Sequence, residues 1–291
     1  MAVANPRRIY TEEEQQFLLN AYCVEKKSLL YCSKMIHSNP NTIKKFLVEN
    51  GITIRDHATA MALATQQIDN RKYPVQDDYF SIPNSKMAYL LGFIAADGYI
   101  PKTGHNLNIN LAIIDKPFLE KIQQEIGGRP IKEYIANNGH QFCAWSCASR
   151  QIQEDLAKYN IVNNKTFTHT FPKNLPDIYW KDYIRGYFDG DGSVYEDMNG
   201  MRWSIGSAND DVLKTINQYF NENCNLKLHT IYQNKRQTAT EYVLKYRTQE
   251  AIIIYNHLYY PGCELFLPRK YEKFTELINK KKTSTRLHIP N

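Results

Sequence analysis

Two aspartates recur in the same local setting, each at the end of a short apolar segment and just before a glycine. Asp97 closes the segment LLGFIAADG at residues 90–98, and Asp191 closes IRGYFDGDG at residues 184–192. One Asp-Gly pair alone is typical of a turn after a helix. Two copies at equivalent places indicate carboxylates that act together, and Mg²⁺ prefers a few carboxylates with water and phosphate oxygens. Such a pair suits hydrolysis of a phosphodiester, with a metal-activated water and a metal-stabilised leaving oxygen.

The two segments begin two copies of one longer pattern. After each segment, an alternating stretch predicts a half-buried strand, and a following Asp opens an amphipathic helix. Two more strands and a closing helix follow. Each half is predicted as α-β-β-α-β-β-α, and the fold class as α+β. The predicted elements of the first half are 106–114 (strand), 116–126 (helix), about 129–136 and 141–148 (strands) and about 150–159 (helix). Those of the second half are 201–208, 210–220, about 226–233 and 239–247, and about 249–258, in the same order.

Small residues predict how the two Asp-bearing helices meet. Gly92 and Gly186 let two helices approach more closely than larger side chains allow, and Ala95, Ala96 and Gly190 extend the same narrow face. Helices packed along this seam bring their C-terminal ends, and therefore the two aspartates, together. A carboxylate at a helix C-terminus opposes the macrodipole at a cost of about 0.3–1 kcal/mol, and adjacent carboxylates repel each other. A bound divalent cation removes both conflicts.

The two nonapeptides resemble the paired LAGLIDADG motifs of monomeric homing endonucleases. The resemblance covers roughly residues 79–280. LAKYNIVNNKT at 156–166 is similar to the family's linker into the second motif, and LFLPRKYEKF at 265–274 to its C-terminal helix. One departure is Ala95, where the family often has Asp. That position is not a metal ligand in the family, so the implied catalysis is unaffected.

The resemblance implies a pseudo-twofold, duplicated endonuclease fold with saddle-shaped antiparallel sheets that face DNA. It implies site-specific double-strand cleavage at a long asymmetric DNA target by a monomer, with Mg²⁺ as the metal and Mn²⁺ as a substitute. The implied metal centre comprises Asp97 and Asp191 with the adjoining Ala96 and Gly190. Two other functions use the same scaffold: a non-catalytic DNA-binding regulator, and an intron RNA maturase, which alone of the three has an RNA partner. Because a regulator is expected to lose the acidic ends, the two aspartates favour the nuclease.

Strand alternation sorts the side chains of the predicted sheets into inward and outward sets. In the first half, Asn106, Asn108 and Asn110 lie outward, where amides can hydrogen-bond to base edges. Outward amides and lysines are equally typical of any solvated strand. The outward candidates of the second half are Arg202, Ser204, Lys227, His229, Lys235 and Arg236.

A basic residue near the metals is a further feature that the resemblance implies. Family members usually place it at the end of the fourth strand of a half, where this chain has Lys245 and Arg247 in the second half and Ser146 and Ala148 in the first. Lys245 or Arg247 would stabilise the charged transition state or hold a water. The alternative is a plain phosphate or surface contact.

The first 56 residues carry the signals of three short helices. Thr11 and Glu14 form a capping box, Ser28 can open a second helix, and Asn39 followed by Pro40 caps a third. The last two helices resemble the helix-turn-helix of invertase- and resolvase-like modules. The residues predicted to contact the major groove or its phosphates are Asn41, Thr42, Lys44 and Lys45. The alternative is a three-helix protein-interaction module whose lysines are merely solvated.

Bulk composition sets limits on this reading. The net charge of +6 suits a polyanionic partner without proving one. The six cysteines are scattered without C-x-x-C pairs, as is typical of a reducing compartment. No apolar run approaches the ~18 residues of a membrane span, so the sequence predicts a soluble intracellular protein. The predicted organisation is 1–56 helix-turn-helix domain, 57–84 linker, 85–175 first LAGLIDADG half, 176–282 second half and 283–291 tail.

Overall fold

A computed structural model of the chain describes residues 8–60, 71–235 and 240–286, except for the side chains of Phe167 and residues 282–286. The chain divides between Lys72 and Tyr73 into two compact units. Arg236, a predicted DNA contact, lies outside the described residues. So do residues 61–67 of the predicted connector helix and residues 287–291 of the predicted tail.

The first unit contains the three helices that the capping signals predict. They are α1 (Glu12–Leu19), which continues into a π-helical turn (Asn20–Val24), α2 (Leu29–Met35) and α3 (Pro40–Glu49). The capping box at Thr11 is present, and the side chains of Ser28 and Asn39 accept the backbone N–H groups that start α2 and α3. Leu18, Ile43 and Leu47 are fully buried in a small core. The helices are thus confirmed, while a helix-turn-helix function stays a prediction.

The first half of the second unit has the predicted order of elements. It runs through α4 (Ser85–Asp97), β1 (Gly98–Tyr99), β2 (Asn106–Ala112), α5 (Lys116–Ile126), β3 (Lys132–Ile135), β4 (Gln141–Ala148) and α6 (Arg150–Lys158). The strands form an antiparallel sheet in the order β1-β2-β4-β3. A short helix, α7 (Lys165–Thr168), leads towards the second half.

The second half repeats this order. It runs through α8 (Trp180–Asp191), β5 (Gly192–Asp197), β6 (Gly200–Ser207), α9 (Asp210–Cys224), β7 (Tyr232–Lys235), β8 (Thr240–Arg247) and α10 (Thr248–Leu258). A last helix, α11 (Pro268–Arg286), follows it. The antiparallel sheet has the order β5-β6-β8-β7, which is that of the first half. The α+β fold class and its duplicated αββαββα architecture are therefore confirmed.

One face of each sheet packs on the helices of a shared core. Leu107, Ile109 and Leu111 of β2 are buried there, as are Trp203 and Ile205 of β6. Since side chains alternate along a strand, the intervening residues of β2 and β6 lie on the open faces, as predicted. Within the described residues, no helix is both long enough and apolar enough to cross a membrane.

Two boundaries differ from the predicted ones. Residues 73–84 belong to the second unit rather than to a linker, since Phe80 is buried and Val75 pairs with Gly127. The strand predicted near 226–233 begins only at Tyr232. The Asn217 side chain exchanges two hydrogen bonds with the backbone of His229, at 2.8 and 3.1 Å. These bonds replace the ladder bonds that a strand would need there.

Candidate active site

Helices α4 and α8 pack against each other through reciprocal glycines. A methyl group on Gly92 would overlap the Tyr183 carbonyl, and a methyl group on Gly186 would overlap the Tyr89 carbonyl. The obstacles are backbone atoms of the facing helix, which no side-chain rotation can move. Towards the C-terminal ends, a methyl on Gly190 would overlap the Ala96 side chain. The close approach predicted from Gly92 and Gly186 is therefore present on both helices.

This seam brings the two aspartates to one place. A methyl group on Gly190, the residue before Asp191, would lie 3.4 Å from Asp97 Oδ2. Both side chains open to solvent, but the surrounding protein removes part of their hydration. This loss of hydration raises the pKa of Asp97, which Lys270 and Lys165 oppose. Dehydration, followed by the charge of Asp97, raises the pKa of Asp191 to about 6.

Two buried lysines bind the C-terminal ends of these helices. Lys165 Nζ donates to the carbonyls of Ala95 and Ala96 at 2.7 and 2.9 Å. Lys270 Nζ donates in the same way to Phe188 and Gly190, at 2.9 and 2.8 Å. Helix C-termini have unpaired carbonyls with a partial negative charge, so each ammonium group supplies a hydrogen-bond donor and an opposite charge.

Burial changes the ionisation of both lysines. Their side chains are largely buried, and dehydration lowers the pKa of Lys165, which the charges of Asp191 and Asp97 oppose. Dehydration lowers the pKa of Lys270 to about 8, against the charges of Asp189, Asp97 and Asp191. Each carboxylate therefore lies in the field of two cations that come from distant parts of the sequence.

A third aspartate anchors the segment that carries Lys270. Asp189 is fully buried and accepts hydrogen bonds from Tyr89 Oη at 2.8 Å, Tyr259 Oη at 2.6 Å and Leu267 N at 2.8 Å. Leu267 immediately precedes α11, and Lys270 lies in its first turn. The first half has Ala95 at the corresponding position, so the two helix ends are supported differently.

The amino-acid pattern around these carboxylates is shared with known proteins. The sequence profile of the LAGLIDADG-like domain matches residues 84–140 and 181–258, which contain Asp97 and Asp191. The chain carries this LAGLIDADG-like domain. An uncharacterized protein of Methanocaldococcus jannaschii, MJ0314, is 23% identical to it over 172 residues, which are 54% of this chain and 56% of that protein. The chain thus matches little more than half the length of this relative.

Three solved LAGLIDADG structures are similar in fold. The meganuclease I-CpaMI bound to uncleaved DNA is 14% identical, with a TM-score of 0.46 over 71% of this chain and 95% of that one. I-DmoI in complex with DNA and Ca is 16% identical, with a TM-score of 0.44 over 69% and 98%. The N-terminal LAGLIDADG domain of DUF199/WhiA is 12% identical, with a TM-score of 0.40 over 62% and 88%. Likeness at this level concerns the fold alone.

The residues predicted to assist the LAGLIDADG carboxylates lie on β8 of the second sheet, Lys245 one residue pair and Arg247 three residue pairs from the pair that Gly192 makes with Ile205. Lys245 pairs in register with Ser204, and Arg247 with Arg202, both further along the sheet than Gly192, which pairs with Ile205. The cations that act most strongly on Asp97 and Asp191 are instead Lys165 and Lys270. A catalytic role of Lys245 or Arg247 stays a prediction.

The predicted DNA contacts are distributed over both units. In the first sheet Asn110 is exposed and Asn106 and Asn108 are half-buried on the open face, where Asn108 donates to the Tyr99 carbonyl at 3.5 Å. In the second sheet Lys235 is exposed on β7, whereas Lys227 and His229 lie in the loop before it. Arg202 and Ser204 occupy the open face of β6 but are largely covered. In the first unit, α3 carries Asn41, Thr42, Lys44 and Lys45; Thr42 is half-buried and the other three are exposed.

The residues at the helix ends fit a hard divalent cation. Asp97 and Asp191 offer carboxylate oxygens that open to solvent, and the partial loss of hydration that raises the pKa of each favours a cation beside them. The neighbouring carbonyls of Ala96 and Gly190 each accept a lysine hydrogen bond, and each retains a second lone pair. Among the described residues, no cluster of three or more His, Cys, Asp or Glu competes as a metal site.

Proposed function

We propose that this LAGLIDADG-like protein is a site-specific double-strand DNA endonuclease that depends on a divalent metal. The observation that supports this most is the convergence of Asp97 and Asp191 at the closely packed ends of α4 and α8, with Lys165 and Lys270 bound beside them. A fold gains no stability from two neighbouring carboxylates at negative helix ends. A site for a cation and a phosphate explains this arrangement.

Asp97 and Asp191 would hold the metal, which we propose to be Mg²⁺ with Mn²⁺ as a substitute. Structures of I-DmoI contain Ca or were obtained in the presence of Mn. When bound, the metal supplies a Lewis acid for the phosphodiester and lowers the pKa of a bound water. The carbonyls of Ala96 and Gly190 are proposed to complete the polar surround of this site.

The two lysines would act on the phosphate. Lys165 and Lys270 are fixed by two carbonyl hydrogen bonds each, so their charge is already in place when negative charge increases on the phosphate oxygens. Fixed charges of this kind stabilise a transition state without reorganisation. The pseudo-twofold arrangement offers one lysine for each helix end, which suits the cutting of two strands.

The DNA would lie across the open faces of the two sheets. These faces carry amides in the first half and several basic side chains in the second, so we propose a long target whose half-sites differ. One chain supplies both halves, and a monomer is therefore the simplest active form. The first unit, through α3 and its exposed Lys44 and Lys45, is proposed to add contacts to DNA as a helix-turn-helix. A DNA substrate also requires an intracellular location.

The proposal is tested by cleavage of DNA that spans the locus of the encoding gene, with the gene itself removed. Purified protein with Mg²⁺ is expected to give one discrete double-strand cut, which EDTA abolishes. Asp97→Asn and Asp191→Asn are each expected to abolish the cut while they preserve binding measured in Ca²⁺. Glu154→Gln, which changes an exposed carboxylate on α6, is the matched control and should cut normally.

The possible results distinguish the three functions of this scaffold. Cutting at the normal rate by both aspartate variants would refute the assigned site. Tight, specific DNA binding by the wild-type protein without any cutting would show a non-catalytic DNA-binding protein. Failure to bind DNA, together with promotion of splicing of a cognate intron RNA, would show a maturase.

A further inference from the structure

The first sheet presents an uncharged surface on the open face of its two central strands. On β4 this face carries Ala144, Ser146 and Ala148, and each of them pairs in register with one of the three outward asparagines of β2. Short side chains on β4 leave room for the edge of a base to approach the neighbouring amides. A duplex on this surface therefore meets amide, hydroxyl and methyl groups rather than charges.

Asn110 is the amide of this surface that is best placed to bind a base. Its side chain is exposed, whereas Asn106 and Asn108 are half-buried. Within the described residues, the Asn110 side chain takes part in no hydrogen bond, while Asn108 already donates to the Tyr99 carbonyl. The carboxamide of Asn110 can therefore present its oxygen as an acceptor and its NH₂ group as a donor together.

Apolar groups lie beside this amide. Ala144 is directly opposite Asn110 in register, and Phe142 is the diagonal neighbour on the same face. Directly opposite Cβ atoms lie about 4.5–5.5 Å apart, and diagonal neighbours at about 7–8 Å are within reach of an aromatic side chain. The ring of Phe142 stacks on Tyr134 of β3, with centroids 5.7 Å apart and planes inclined by 22°. The surface thus places a polar donor and acceptor next to a methyl group and a supported ring.

We propose that Asn110 recognises the adenine of an A·T pair in the half-site bound by the first half, while Ala144 and Phe142 contact the methyl group of its thymine. This inference rests on the proposed DNA-binding function. In the major groove adenine offers the N6 donor beside the N7 acceptor, which one carboxamide can bind with two hydrogen bonds. Guanine offers two acceptors there and each pyrimidine a single polar group, so adenine alone complements the amide. The thymine methyl group on the same pair is suited to apolar contacts.

The second half provides an internal comparison. Counted from the strand residue that pairs with the last glycine of each motif, Asn110 and Gly206 occupy equivalent positions. Gly206 has no side chain to offer a base, and its partner across the strands is Val243. The requirement for this A·T pair is therefore expected on one side of the target only.

The first test is selection of bound sequences from a randomised double-stranded DNA library, with Asp191→Asn as the parent in Ca²⁺ so that binding is measured without cutting. The parent is expected to select an A·T pair at one position of one half-site. Added to it, Asn110→Ala is expected to reduce the preference for that pair by about 5- to 150-fold. Asn110→Asp is expected to lose the same preference, because a carboxylate keeps the shape of the amide but has no donor for N7. The matched control is Gly206→Ala, at the equivalent position of β6, which should leave the preference unchanged.

The second test changes single atoms of the selected DNA and leaves the protein surface intact. Replacing the adenine by 7-deazaadenine removes N7 and should weaken binding by the parent about 2- to 13-fold, the value of one hydrogen bond. The same replacement should not weaken binding by Asn110→Ala, because the contact is already lost. Replacing the thymine by uracil removes one methyl group and should weaken binding by both proteins about fourfold.

The outcomes separate this inference from the proposed function. Absence of any selected sequence with the parent would overturn the proposed function itself. A selected sequence that Asn110→Ala leaves unchanged at every position would overturn only the adenine contact, as would equal losses from 7-deazaadenine in the parent and in Asn110→Ala. Uniform weakening of Asn110→Ala across all sequences would show a contact without base preference and would also overturn it. Because Asn110 is exposed, its variants should melt within about 2 °C of the parent, which checks that they are folded.

Discussion

Replacement of Gly186 by alanine tests the helix seam on which the site depends. The added methyl group would overlap the Tyr89 carbonyl and lie 2.9 Å from Phe93 N, both backbone atoms of α4. Overpacking against movable side chains costs about 1–3 kcal/mol, and a backbone obstacle places this case at the upper end. Alanine in place of glycine inside a helix returns about 1 kcal/mol. The expected net loss is therefore about 2 kcal/mol of unfolding free energy.

Thermal unfolding measures this loss. For a domain of this size, about 2 kcal/mol corresponds to a fall in Tm of roughly 4–8 °C. The control is Gly206→Ala, where the nearest atom to the added methyl group is the flexible end of Glu241 at 3.3 Å. That variant is expected to melt within about 2 °C of the wild-type protein.

A double variant sharpens the test. A methyl group on Gly92 would meet the Tyr183 carbonyl and lie 2.8 Å from Tyr187 N, so it widens the same seam as Gly186→Ala. The double variant should lose about 1 kcal/mol less unfolding free energy than the sum of the losses of the two single variants. The reason is that one added methyl group already separates the helices and so leaves room for the second. A Tm of Gly186→Ala at or above that of Gly206→Ala would refute the backbone contact across the seam.

Three further outcomes are expected. In the absence of metal, the raised pKa of Asp191 (about 6) means that the folded state holds its proton more tightly than the unfolded state, so this group's contribution to stability is lost as pH rises through about 6. Asp191→Asn should then melt higher than the wild-type protein at pH 7 in EDTA, and Mg²⁺ should raise the Tm of the wild-type protein only. Burial lowers the pKa of His169 to about 4. The unfolding free energy should therefore fall by up to about 3 kcal/mol as the pH decreases from 6.5 to 4, because the unfolded state binds the proton first. In urea denaturation at several pH values, His169→Gln should lack this decrease, and the same decrease in that variant would contradict the assignment to His169. Asp189→Asn replaces the anionic acceptor of three buried donors by a neutral amide, whose one oxygen accepts at most two hydrogen bonds. This variant should be destabilised by about 2–4 kcal/mol in urea, and a loss below 1 kcal/mol would contradict the anchoring role.

The elements and their order could be predicted because their signals are local. Alternating stretches, capping residues such as Asn39, and the small residues of the two motifs each determine structure within a few positions. The pairing of Gly92 with Gly186 followed from the repeat, since two similar narrow faces pack best on each other. These signals also sufficed to place Asp97 and Asp191 together.

The lysines of the site could not be predicted in this way. Lys165 and Lys270 bind backbone carbonyls that lie 69 to 82 residues earlier in the chain, and no side-chain pattern marks a carbonyl as a partner. Both residues lie inside segments that resemble family segments, so the resemblance located them without revealing their role. Only the packing of the second unit shows that they reach the helix ends.

The role of Gly98 was also not evident from the sequence. A glycine after a helix commonly adopts positive φ, yet Gly98 has φ −71° and an extended backbone. Glycine is needed there for space, because a methyl group would lie 2.6 Å from the Ile94 carbonyl oxygen. A sequence pattern identifies such a position but does not separate a conformational requirement from a spatial one.

The placement of Lys270 has a consequence for the protein during its synthesis. Lys270 is made 80 residues after Gly190, whose carbonyl it binds. At about 5–20 residues per second, a ribosome needs roughly 4–16 s to travel from one to the other. Throughout that interval the nascent chain already contains both aspartates but lacks one of the two cations beside them. If the proposed function holds, the emerging chain passes through this interval unable to cut, and it becomes a nuclease only when its final helix has docked.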